Sequence, residues 1–199
     1  GLFSRILIRF ARGFPGRAGT FIKRRPVVFA AACGLGVALC GLLSGQHVYG
    51  TGYEQARAII HGTETIGQGF GPFKYCATLL SAISGIPGGI FAPSLAIGAG
   101  IASDLSVLFP NSPIGALVLI GMVSYLTGVV QAPITSFVIT LEMTNDHAMV
   151  IPLMAAALIA NAVSKMVVSE GLYHALAKSY IRAASEPERP SGNRPQAGG

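Results

Sequence analysis

The residues best suited to do chemistry in this chain carry no charge. Gly88-Gly89-Ile90-Phe91-Ala92-Pro93 lies inside Tyr75–Ser103, a run of 29 residues without an acidic or basic side chain. Two prolines and three glycines interrupt that run between Gly85 and Pro93. Backbone broken at membrane depth is tolerated only where it is buried in protein or lines a water-filled cavity. A helix starting at Ile90 would aim its first N–H groups, and the positive end of its dipole, into such a cavity. Helix N-termini hold anions without lysine or arginine, and discontinuous helices of transporters use them so near the bilayer midplane. Neutral donors also suit turnover, because a conducting site must release its ion. Gly88 and Gly89 would let the backbone approach that ion closely. At this level a proline kink between packed helices accounts for the same letters equally well.

Other chemistries find no footing. Cys33, Cys40 and Cys76 lie within or beside apolar stretches and form no CxxC pair, so they read as inert buried thiols. His47, His61, His147 and His174 are scattered without metal-ligand spacing. There is no GxSxG, P-loop or HExxH, and no lysine follows Gly67, Gly69 and Gly71 where a phosphate loop needs one. Neither an enzyme nor a resident metal or cofactor is expected. Asp104 and Glu142 lie near expected helix ends and read as capping or packing residues.

The elements that must position the broken segment are apolar. Hydrophobic residues make up 51% of the 199, and only 11% are charged. Charge-free stretches run over Pro26–Tyr53, Tyr75–Ser103, Leu105–Leu141 and His147–Ser164. A crossing needs about 20 apolar residues, so these lengths describe an all-α polytopic membrane protein. Helices are expected over about 26–44, 54–61, 73–85, 94–108, 114–126, 134–143, 152–168 and 173–184, with turns at FPNSP and TNDH. The net charge of +6 is concentrated at the ends. Arg5, Arg9, Arg12, Arg17, Lys23, Arg24 and Arg25 precede the first apolar stretch, and Lys178, Arg182, Arg189 and Arg194 follow the last. That is the positive-inside pattern, not a nucleic-acid surface. It places both termini in the cytoplasm and makes the number of full crossings even. Residues 1–25 read as a basic amphipathic cytoplasmic segment without a signal-peptide cleavage site, 26–184 as the membrane domain, and 185–199 as a disordered polar tail. The chain reads as a piece of something longer.

Three motifs then occur in a telling order: GGIFAP at Gly88–Pro93, QAPITSFVITLEMTND at 131–146 and EGLYHALAK at 170–178. Together they resemble the second half of the CLC chloride channel and transporter family, with similarity running over roughly residues 26–182. The resemblance implies half of an inverted-repeat helical bundle built of broken and short tilted helices. It further implies an inner (plasma) membrane location, and chloride or similar small anions as the transported species. The Ile90 and Phe91 amides and the Tyr173 hydroxyl become the expected contacts to a bound chloride, with Gly88, Gly89 and Pro93 shaping the loop. An aromatic belt at the interface is the competing place for Tyr173. The family's first-half motifs, GSGIP and GREGP, are not found. Ser84-Gly-Ile-Pro87 shares letters with the first but runs straight into GGIFAP. Channel and chloride/proton exchanger are therefore not separated.

Ala156, Ala160 and Ser164 form a small-residue stripe at four-residue spacing, which permits close helix approach in lipid. The resemblance makes it a candidate homodimer interface in the complete protein; packing within one protomer is the competing reading. For the chain as a whole, two further readings stand beside CLC-type anion transport. One is another broken-helix secondary transporter, and the other a non-conducting fragment with a structural role in the bilayer.

Overall fold

The computed structural model describes residues 2–11, 24–61, 69–84, 88–144, 147–168, 171–172, 177–178 and 181. Among them are eight α-helices and no strand: α1 (Leu2–Ala11), α2 (Pro26–Leu43), α3 (Tyr53–His61), α4 (Phe70–Ile83), α5 (Phe91–Leu105), α6 (Ile114–Val130), α7 (Pro133–Thr144) and α8 (Val150–Val167). Short 3-10 turns at Ser106–Leu108 and His147–Met149 follow α5 and precede α8. Pro26 starts α2 at a position where its missing N–H costs nothing. Gln131, in left-handed conformation with φ 59°, stops α6 and frees Pro133 to begin α7. The last expected helix, about 173–184, lies largely outside the described residues.

Helix α5 forms the centre. Ala96, Ile97 and Ala99 on it, and Val118, Val123 and Leu126 on α6, are fully buried. Glycines let the backbones meet. A Cβ added at Gly98 would come within 2.5 Å of the Gly121 carbonyl oxygen, and one at Gly71 within 2.6 Å of the Ile101 nitrogen. So α5 is pressed against α6 on one side and α4 on the other, the small-residue packing that lipid-embedded helices need in place of a hydrophobic drive. The Gly71–Gly100 contact also fixes direction. The beginning of α4 lies beside the end of α5, where the Gly69 amide donates to Asp104 Oδ1 at 2.9 Å. The chain therefore reverses between Ile83 and Phe91: α4 and α5 are an antiparallel hairpin, and the kinked-single-helix reading fails.

Two helices keep long apolar faces outward. On α2, Val27, Leu35, Leu42 and Leu43 are exposed, and on α8 so are Ile151, Leu158, Ile159 and Met166. The stretches Pro26–Leu43, Phe91–Leu108 and Val150–Val167 are each long and apolar enough to cross a bilayer. Helix α1 is amphipathic as its sequence suggests, but it is not set apart from the bundle. Phe3, Leu7 and Ile8 are buried, Phe3 meets Tyr75 edge-on at 5.8 Å between ring centroids, and Ser4 Oγ donates to the Val129 carbonyl at 3.0 Å.

Candidate anion-binding site

The site is built on the start of α5. Ile90 is its N-cap residue, with φ −98° and ψ −22°, and its own side chain makes no cap hydrogen bond. The first intrahelical bond runs from the Ser94 amide to the Ile90 carbonyl at 3.0 Å. Helix geometry thus turns the amides of Ile90, Phe91 and Ala92 out of the N-terminus. Pro93 occupies the first turn, where a missing N–H breaks no helical bond. Gly88 and Gly89 are exposed, and a Cβ added to either would meet nothing within 4 Å. Gly89 does not use a left-handed backbone, and none of the described residues demands glycine at either position. Their small size keeps the space before the helix open.

Of the three expected ligands, the structure brings Ile90 and Phe91 to one helix end, and Tyr173 lies outside the described residues. Its neighbour Leu172 is fully buried and belongs to the apolar cluster that takes in Ile90, Tyr75, Leu79 and Tyr125. A Cβ at Gly171 would lie 2.7 Å from the Val130 carbonyl oxygen, so this segment is drawn tightly against the end of α6. Gln131 holds the approach to it: its Nε2 donates to the Val168 carbonyl at 2.7 Å and to Ser164 Oγ at 3.3 Å.

That network takes in one member of the small-residue stripe. Ser164 is buried and its hydroxyl donates to the Gly128 carbonyl of α6 at 2.7 Å. Ala156 packs against the main core, and Ala160 lines a groove of about 690 Å³ together with Ser164, Phe3, Tyr75 and Tyr125. Ser164 thus meets the chain's own α6, while Ala156 and Ala160 are half-buried. Asp104 does cap, though by bonding the start of α4 instead of its own helix. Glu142 is exposed on α7.

Two residues were invisible to motif reasoning. Gln131 sits in QAP, where its fork across Ser164 and Val168 depends on α8 folding back. Lys74 borders the apolar stretch and looks like a boundary residue, yet it is among the most buried side chains of the protein.

Comparison with known proteins places this arrangement among relatives. The family model described as "Voltage gated chloride channel" matches residues 1–165, so the similarity begins at α1 and not at residue 26. A Salmonella gallinarum protein named "H(+)/Cl(-) exchange transporter ClcA" is 30% identical over 98% of this chain and 42% of its own length. A Yersinia pestis protein of the same name is 35% identical over 69% of this chain and 31% of its own. The chain thus spans about two-fifths or less of the length of these relatives.

Proposed function

Because this chain belongs to the voltage-gated chloride channel family, we propose that it supplies the second half of the chloride pathway in a CLC-type transporter. Its all-helical membrane fold is the one that family uses. The observation that carries the reading is the start of α5 at Ile90 and Phe91, beside Gly88 and Gly89, where an added Cβ would meet none of the described residues within 4 Å. In this proposal the Ile90 and Phe91 amides contact chloride and the Tyr173 hydroxyl completes the site; Gly88, Gly89 and Pro93 keep the helix end accessible. A phenol serves as a neutral third donor with a ring at ease in an apolar wall. The name shared by the relatives, H(+)/Cl(-) exchange transporter, supports exchange over passive conduction.

The protein is an integral membrane protein, and the basic residues flanking its apolar stretches support the inner membrane with both termini cytoplasmic. We further propose a homodimer in the complete gene product, formed through the outer faces of α7 and α8, where Ile134, Ile151, Ile159 and Met166 are exposed. Chloride efflux from liposomes holding the complete gene product tests the main reading. Flux well above empty vesicles is expected, with proton movement driven against its gradient if exchange is correct. Flux equal to empty vesicles overturns the proposal.

A further inference from the structure

Lys74 stands on the second turn of α4 with only 2% of its surface exposed. Its Nζ donates to the Val48 and Gly50 carbonyls, both at 2.7 Å. Among the described residues no carboxylate pairs with it. Asp104 is bound at the start of α4, and Glu54 and Glu142 are exposed. Carbonyl dipoles solvate an ammonium without cancelling its charge. Burying a charge without a counter-ion is costly, and within a membrane such a residue marks function by default.

Its position says what the charge faces. At Gly52, with φ +79°, an added Cβ would come 3.0 Å from Lys74 Cε, 3.3 Å from its Nζ and 2.5 Å from the Ala96 Cβ. The ammonium and Ala96 therefore flank the space of one missing methyl group. Ala96 is five residues past Phe91, about 7.5 Å along the α5 axis. The full positive charge thus lies on the order of 10 Å from the helix end that carries the partial positive charge of the dipole. These two features repel each other until an anion sits before α5, where it is attracted by both.

We infer that Lys74 is a fixed countercharge for the anion at the start of α5, strengthening anion binding through space without touching the ion. The inference rests on the reading of that helix end as the chloride site. Distance is the useful part of the arrangement, since a basic side chain in direct contact would hold the ion too firmly for release. A unit charge about 10 Å away, at an effective dielectric constant of about 20, corresponds to about a tenfold change in anion affinity. Fastening the 48–52 loop to α4 is the competing role, and charge separates the two. Arginine keeps the charge, whereas glutamine keeps N–H donors for the two carbonyls and loses it.

Chloride affinity of the complete gene product, measured by titration calorimetry in detergent, provides the test. Lys74→Arg should stay within about twofold of the native protein, and Lys74→Gln should bind chloride about tenfold more weakly while melting normally without chloride. Native affinity in Lys74→Gln, or equal losses in both variants, overturns the inference and leaves the anion site standing. Should the glutamine variant not fold, native protein and Lys74→Arg are compared as pH rises from about 6 to about 10, a window that allows for the burial of this lysine. Affinity should fall in the native protein and hold in the arginine variant; parallel curves overturn the inference. A native protein that binds no chloride removes the anion-site reading and this inference with it.

Discussion

The hairpin of α4 and α5 contains two helix beginnings that are treated in opposite ways. At the start of α4, the Gly69 amide is satisfied from within the chain by the Asp104 carboxylate at 2.9 Å. At the start of α5 the Ile90 side chain makes no cap bond, and a Cβ added at Gly88 or Gly89 would meet none of the described residues within 4 Å. Both ends carry the positive pole of a helix dipole. One has an internal anion; at the other we propose an external one. Asp104 makes the contrast sharper, because a carboxylate in the last turn of α5 is disfavoured by that helix's own negative pole. Its place is explained by the neighbouring helix, whose positive end it meets. A helix N-terminus is thus not a site merely by existing; what matters is whether the protein has already filled it.

The most damaging way to probe the contrast is to crowd the helix that presents the open end. Gly98→Ala would push a methyl group against the Gly121 carbonyl of α6, and backbone on both sides cannot yield. We expect a loss of about 1–3 kcal/mol in stability, read as a lowered melting temperature and poor recovery in detergent. Gly88→Ala should leave melting unchanged, since its Cβ meets nothing within 4 Å, yet slow chloride flux by narrowing the space before α5. Equal damage to folding by the two substitutions would mean that the open end is a packing feature after all.

Next in size is the filled end. Asp104→Ala removes the acceptor for the Gly69 amide and the charge facing the α4 dipole, an expected cost of about 1–2 kcal/mol in stability. Chloride affinity per folded molecule should be unaffected. A large loss of affinity would show that the two helix ends are coupled instead of separate.

The broken segment was legible because proline and glycine act locally: Pro93 tolerates only the first turn, and Gly88 and Gly89 add no side chain before α5. Apolar stretches located the helices to within a few residues for the same reason, except that α6 runs on to Val130, its end set by Gln131 turning left-handed. What the letters could not distinguish was a kink from a reversal. That difference lies in the Gly71–Gly100 contact, between residues far apart in sequence. The bond of Ser164 to α6 was hidden similarly, since small residues at four-residue spacing suit an internal neighbour or an external one. Phe3, Ser4 and Leu7 looked like the apolar side of a surface helix until α4 and α6 were found beneath them. Lys74 was missed because a lysine at the edge of an apolar stretch ordinarily extends to water.

A smaller effect tests the open end directly. Tyr173→Phe deletes one neutral donor from the proposed chloride site and keeps the ring. A hydrogen bond of that kind contributes about 0.5–1.5 kcal/mol, so affinity should fall about two- to tenfold by calorimetry, with little change in melting without chloride. Unchanged affinity would remove Tyr173 from the site and leave only the helix end.

The smallest expected effect comes from a second phenol close by. Tyr125 is partly buried beside the cluster that contains Ile90, and its hydroxyl is buried without a hydrogen-bond partner among the described residues. Deleting an unsatisfied buried hydroxyl removes a desolvation cost and breaks no bond, so Tyr125→Phe should be neutral or stabilising by a few tenths of a kcal/mol. Chloride affinity should stay within error of the native protein. The pair Tyr125→Phe and Tyr173→Phe therefore asks whether a nearby neutral donor is enough or whether it must converge on the start of α5. If Tyr125→Phe weakens chloride as much as Tyr173→Phe does, proximity within one apolar cluster suffices, and the distinction between a filled and an open helix end no longer explains where the anion goes.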